Sequence, residues 1–163
     1  MFAKKSVNRL TFGVMVIGMV FAVLATEGKY WESYLFEKSI SIYTGLWLFC
    51  GFQFSKENCI KRSINDPLRV VQSFMVMGCL GYLVSLLYVV RHYIKKKSNF
   101  KTLSVILNVT ALSLVIGLSV YSNEISTPHL KYNWSYVVGW TSVVFALTAS
   151  ILCLVVHGRY LGE

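Results

Sequence analysis

Four long stretches of this chain carry no charged side chain, and that feature restricts the possible fold more than any other. Leu10 to Thr26 runs for 17 residues, Val70 to Val90 for 21, Thr102 to Asn123 for 22 and Tyr132 to Val156 for 25 without Asp, Glu, Lys or Arg. A helix rises about 1.5 Å per residue and the hydrocarbon core of a bilayer is about 30 Å thick, so roughly 20 residues span it. Three of the blocks reach that length directly. The first is shorter and extends by including Asn8 and Arg9, with the Arg head snorkelling to the interface. Backbone amides find no water in hydrocarbon, so apolar runs this long read as helices rather than barrel strands. Composition agrees, with 55% hydrophobic and 14% charged residues, against about 25% charged in an ordinary soluble domain. A core built from 163 residues could not bury that much apolar surface, whereas a bilayer can. The expectation is one four-span domain with spans near 10–26, 70–90, 102–123 and 132–156.

A competing reading concerns the first block. Lys4, Lys5 and Arg9 precede it, and Val23-Leu24-Ala25 has the small-residue character of a signal-peptidase site. The block is longer than the usual 7–15-residue signal core, which favours a retained span. A mature chain starting at Thr26 would keep only the other three spans.

Charge asymmetry orients the spans. The N-terminus, the loop 91–101 and the tail 157–163 carry nine basic residues against Glu163 alone, a balance of +8. The loops 27–69 and 124–131 carry seven basic and six acidic residues, a balance of +1. Basic residues near span ends face the cytoplasm, so the first set, with both termini, is expected in the cytosol. The net charge of +9 is therefore no sign of nucleic-acid binding. The run Lys95-Lys96-Lys97 stands where a positive-inside determinant belongs, and the same run attracts anionic lipid.

The loop 27–69 changes to strand-like patterning. Ser39-Ile40-Ser41-Ile42 alternates polar and apolar residues, Thr44-Gly45 reads as a turn, and Leu46 to Phe54 as a second strand. Alternation puts Cys50, Phe52 and Phe54 on one face and Gly51 and Gln53 on the other. Ser55 to Asn58 suits a turn, the chain returns through Cys59 to Ile64, and Asp66-Pro67 ends that strand ahead of span two.

A loop of 43 residues cannot build much of a core and needs a staple. Cys50 and Cys59 are placed to supply it, because a hairpin brings them opposite each other in an oxidising compartment. Two free thiols or a metal pair are the alternatives, although the loop holds no His to complete a zinc set. Cys79 and Cys153 fall within spans, where a small buried hydrophobe is the default. Cys153 lies near the inner end of span four and is also a candidate for palmitoylation.

Nothing suggests catalysis. No Asp or Glu lies inside a span, and His92, His129 and His157 fall in different loops, so no nucleophile–base pair is implied. Gln72 and Asn108 are intramembrane polar residues whose default is an interhelical hydrogen bond. Asn133-Trp134-Ser135 is a glycosylation sequon, but it abuts span four too closely for efficient transfer, and Asn108-Val109-Thr110 lies in the membrane. No cofactor or metal is expected.

Trp31, then Gly45-Leu46-Trp47, then Cys50 and Cys59 form a W…GLW-x2-C-x8-C pattern in the first outer loop of a four-span chain. This resembles the claudin superfamily, which includes peripheral myelin protein, epithelial membrane proteins and the lens fibre intrinsic membrane protein. Arg69 at the entrance to span two agrees, as does Trp134-Ser135-Tyr136 followed by Gly139-Trp140 at the opening of span four. The resemblance covers the whole chain in order and topology. It implies an all-α membrane four-helix bundle, left-handed, under a small extracellular antiparallel β-sheet to which the second loop adds a strand. It also implies a Cys50–Cys59 disulfide and an Arg69 that fixes the sheet to the bundle. Trp31 and Trp47 would anchor the sheet at the interface, rings buried and N–H groups wet. Gly13, Gly18, Gly78, Gly81, Gly117 and Gly139 would let helices approach closely.

Departures point to a branch. Only 15 residues separate Trp31 from Trp47, the second outer loop is short, and the tail ends Leu161-Gly162-Glu163 without the terminal valine of claudins that dock PDZ scaffolds. The myelin, epithelial and lens branch is therefore favoured, with no PDZ partner. The leading functional expectation is a structural or adhesive protein at the plasma membrane or a cell junction, with the bilayer and copies of itself or another membrane protein as partners. The alternatives are an auxiliary or trafficking subunit, including one in a vesicle membrane, and a paracellular pore whose selectivity Glu32 or Glu37 would set.

Overall fold

The structure is a computed structural model that describes residues 2–36, 40–53, 56–95, 100–126 and 131–161. Glu37, Lys38, Ser39, Phe54, Ser55, Lys96, Lys97, His129, Gly162 and Glu163, on which some of the expectations rest, lie outside the described residues. Helix α1 covers Phe2–Glu27, α2 Asp66–Lys95, α3 Phe100–Val120 and α4 Trp134–Leu161. Strands β1 (Glu32–Phe36), β2 (Ile40–Thr44), β3 (Leu48–Gln53) and β4 (Lys56–Lys61) separate α1 from α2, and β5 (Lys131–Tyr132) precedes α4.

The helices, α3 being continued by a π-helical turn over Tyr121–Ile125, contain stretches long and apolar enough to cross a bilayer: Arg9–Glu27, Asp66–Arg91, Phe100–Ile125 and Trp134–Val156. The helices outrun the uncharged blocks because their hydrogen-bond ladder does not stop where hydrocarbon ends. Asp66-Pro67 does not close a strand as expected; it opens α2. The Oδ1 of Asn65 accepts the Leu68 N–H at 3.1 Å, so Asn65 caps the helix, and Pro67 occupies the first turn, where an N–H is dispensable.

Around the bundle, α1 packs on α4, α4 on α3, α3 on α2, and α2 more lightly on α1. Small residues allow these approaches. Gly18 faces Tyr82 and Phe145, Gly81 faces Thr110, and a Cβ on Gly139 would stand 2.9 Å from Leu118. Gly13 differs from its expectation, because none of the described residues lies within 4 Å of where its Cβ would be. Two buried polar links that periodicity does not reveal fasten the helices. Tyr82 donates its hydroxyl to the Ser142 carbonyl at 2.6 Å, and Ser104 and Ser150 share a hydrogen bond at 2.7 Å. Asn108 also departs from its expectation, since it lies on the exposed face of α3 rather than in a helix–helix seam.

The five strands form one antiparallel sheet in the order β4-β3-β2-β1-β5. Strand β1, which alternation did not mark, pairs with both β2 and the short β5. The second loop thus adds one strand, as the resemblance implies. The β2–β3 turn falls one residue later than expected, closed by the Gly45 N–H on the Leu48 carbonyl at 2.8 Å.

Candidate functional site

The helix ends on the sheet side present the problem that shapes this region. The last four carbonyls of α1 have no partner within the helix. Two are filled by indoles: Trp31 Nε1 donates to the Ala25 oxygen at 2.7 Å and Trp47 Nε1 to the Thr26 oxygen at 2.8 Å. The expectation that both indole N–H groups meet water is corrected for both residues. Trp31 is fully buried, and its ring packs on Tyr121 at 4.5 Å and on Tyr136 at 5.7 Å.

The Gly45-Leu46-Trp47 turn is pressed onto those helix ends, and each of its residues has a separate reason to be there. Gly45 lies so close to the α1–β1 linker that a Cβ would stand 2.6 Å from the Gly28 oxygen. Leu46 is fully buried, and its carbonyl accepts the Gln72 side-chain N–H at 2.8 Å. Gln72 thus bonds the sheet rather than another helix. Trp47 supplies the cap just described. The turn is a plug, and its three residue types follow from close approach, burial and capping.

Arg69 was expected to tie sheet to bundle, but its side chain is exposed. Arg62 makes that tie instead. Its Nη1 donates to the Gly45 oxygen at 2.7 Å, its backbone N–H to the Trp47 oxygen at 2.9 Å, and its guanidinium lies 5.8 Å from the centre of the Tyr121 ring. Six residues, Ser63 to Leu68, separate the two arginines, and that mixed stretch gives no periodicity to tell which turns inward.

Cys50 and Cys59 face each other across β3 and β4, Cα atoms 4.1 Å apart, and are joined as a disulfide. Free thiols and a metal pair are therefore set aside. Glu57 lies beside the two sulfurs, but bonded sulfurs offer no thiolate to a metal. Glu57 instead pairs with Lys29 of the α1–β1 linker, holding the Lys29 ammonium above its ordinary range.

The span-four residues divide by face. Ser135, Tyr136 and Gly139 point inward, and Trp134 and Trp140 are exposed. Tyr136 stacks on Tyr132 at 4.3 Å, and the backbone N–H groups of Asn133 and Ser135 reach the Trp31 and Tyr30 oxygens. The side chain of Asn133 accepts from the Trp134 N–H at 2.7 Å, so the sequon is engaged in starting α4. Cys153 is fully buried in the bundle core, which withdraws the sulfur from the acylating surface and corrects the palmitoylation expectation.

Beneath the sheet lies a cluster that sequence reasoning did not assemble. Glu32 is 1% exposed, and among the described residues neither of its carboxylate oxygens has a hydrogen-bond partner. The Tyr121 hydroxyl has Arg62, Glu32 and Thr44 as neighbours. By sequence Glu32 stands only as a solvent-facing loop charge, because a lone Glu beside Trp31 carries no mark of burial.

The family model described as PMP-22/EMP/MP20/Claudin matches residues 6–155. Epithelial membrane protein 1 of Homo sapiens is 22% identical over 155 residues, covering 92% of this chain and 98% of that protein. The Oryctolagus cuniculus protein of the same name is 25% identical over 161 residues, covering 91% of this chain and 95% of its own length. Protein NKG7 of Bos taurus is 26% identical over 151 residues, 86% of each chain. With four membrane-spanning helices, a disulfide-closed sheet plugged into their ends and a family match across nearly its whole length, this chain is a member of the PMP-22/EMP/MP20/Claudin family.

Proposed function

We propose that this protein is a non-enzymatic organiser of membranes, making lateral or cell–cell contacts through its sheet, with the sheet outside and both termini in the cytosol. The observation that carries the reading is the β3–β4 hairpin. It is closed by a disulfide, forms one edge of the sheet, and exposes Phe52 at 42%. A preordered edge strand beside an exposed aromatic ring suits pairing with another chain, because little entropy is lost on docking. Expression in non-adherent cells tests it. Cell clustering and enrichment at contacts are expected, both reduced by Phe52→Asp; no clustering and no enrichment sinks the adhesive role.

A second reading, an auxiliary subunit of another membrane protein, draws on Asn108. An exposed amide within a span finds no donor or acceptor in lipid, so a neighbouring helix is its natural partner. Proximity labelling that returned one dominant channel or receptor would favour this reading over self-contact. The paracellular-pore reading loses its support at Glu32, whose carboxylate is buried beneath the sheet rather than exposed to a water path.

A further inference from the structure

The cleft under the sheet contains groups that the fold does not use. It has a volume of about 490 Å³ and is lined by Glu32, Thr44, Phe49, Ile60, Lys61 and Arg62 among others, within the range of about 300–1,000 Å³ typical of small-ligand sites. Buried carboxylates are normally satisfied by donors. Here both oxygens of Glu32 lack one among the described residues, and the Thr44 hydroxyl lines the cleft beside them. Opposite in charge stand Lys61, which is exposed, and Arg62, which spends one of its five side-chain N–H donors on Gly45. The walls between them are apolar: Phe49 and Ile60 face each other across β3 and β4, 37% and 65% exposed. Ile125, the last residue of the apolar stretch Phe100–Ile125 that is long enough to cross a bilayer, also lines the cleft.

We propose that this cleft binds the headgroup of an aminophospholipid. Its primary ammonium donates to both Glu32 oxygens and to a neighbouring hydroxyl, its phosphate is held by Lys61 and Arg62, and its glycerol and upper acyl carbons lie against Phe49 and Ile60. The orphaned acceptors select the class. A primary ammonium brings three N–H donors, whereas the trimethylammonium of phosphatidylcholine brings none. A zwitterion also matches a site with one buried anion beside two cations, where a bare metal ion would meet the guanidinium. The assignment is independent of the adhesive reading.

The test uses the full chain in nanodiscs of phosphatidylcholine alone or with phosphatidylethanolamine of the same acyl chains. Phosphatidylethanolamine is expected to raise the Tm by about 3 °C or more, and Glu32→Gln, which keeps the shape, to abolish that rise. Thr44→Val is expected to shrink it. Native mass spectrometry of the wild-type protein provides a readout that needs no variant: retention of phosphatidylethanolamine over equimolar phosphatidylcholine is expected. Equal Tm in both discs without preferential retention overturns the proposal. So does a rise undiminished in Glu32→Gln, since bilayer elasticity would then be its source. Stabilisation by soluble O-phosphoethanolamine in discs where phosphatidylethanolamine has no effect overturns the lipid assignment in favour of a free headgroup compound.

Discussion

The indole of Trp47, at the tip of the β2–β3 turn, donates to the carbonyl of Thr26 at the end of α1 at 2.8 Å, capping from the sheet a helix that cannot cap itself. Trp31 does the same one residue earlier, at Ala25. Sheet and bundle are therefore not two units joined by a linker. Each completes the other's backbone hydrogen bonds, and at the sheet side an unmade bond would leave a buried carbonyl.

Trp47→Phe keeps most of the ring and removes the N–H, and is expected to cost about 1–2 kcal/mol. Trp31→Ala also empties a fully buried site and is expected to cost about 3–5 kcal/mol. Thermal unfolding in nanodiscs with the same lipid throughout measures both; equal losses would contradict the assignment.

The two arginines should separate cleanly. Arg62→Met leaves the Gly45 oxygen without its donor and removes the cation over Tyr121, which is expected to cost about 2 kcal/mol. Exposed Arg69→Met should stay within about 0.5 kcal/mol of wild type. A larger loss of stability at Arg69 than at Arg62 would reverse the roles of the two side chains.

Replacing Cys50 and Cys59 together by Ala should lower the stability of the hairpin by about 2–3 kcal/mol, the entropy of closing a loop this short. Limited proteolysis should then cut within β3–β4 while the four helices remain protected. Peptide mapping without reductant should find residues 50 and 59 linked in the wild type.

Asn108 on the exposed face of α3 should contribute to lateral association rather than to the monomer. Asn108→Leu is expected to weaken association with a neighbouring membrane helix by about 0.6–2 kcal/mol, read by crosslinking of α3 to its lateral partner in bilayers, with Tm unchanged. A lowered Tm with unaltered association would place the amide in an intramolecular role.

The Lys29–Glu57 pair has a defined pH sense. The carboxylate raises the Lys29 pKa above its ordinary 10.5, so the contribution is complete below the unfolded-state value and is lost as pH rises through the folded-state value. Both side chains are solvent-accessible, so the effect is small and screened by salt. Nζ titration followed by NMR should show a midpoint above 10.5 in the wild type that falls in Glu57→Gln.

Much of this architecture is legible without coordinates, because the decisions are local. Crossing a bilayer is a property of each apolar segment's own length and composition, so the four spans appear in the sequence one at a time. The Cys50–Cys59 pairing is marked by a short spacing within one hairpin, and the β2–β3 turn reads within a residue of its place, at Thr44-Gly45. The directions in which side chains face had to wait for the packed chain. Lipid is as apolar as the bundle interior, so a membrane helix carries no amphipathic stripe to separate one from the other. Asn108 therefore read as inward and lies outward, and Arg62 rather than Arg69 turns toward Gly45, while Cys153 lies buried as its default reading had it. Glu32 shows the same division most sharply. Its place on a strand beside Trp31 is local, but its burial, with Tyr121 from the far end of α3 as a neighbour, exists only in the folded chain.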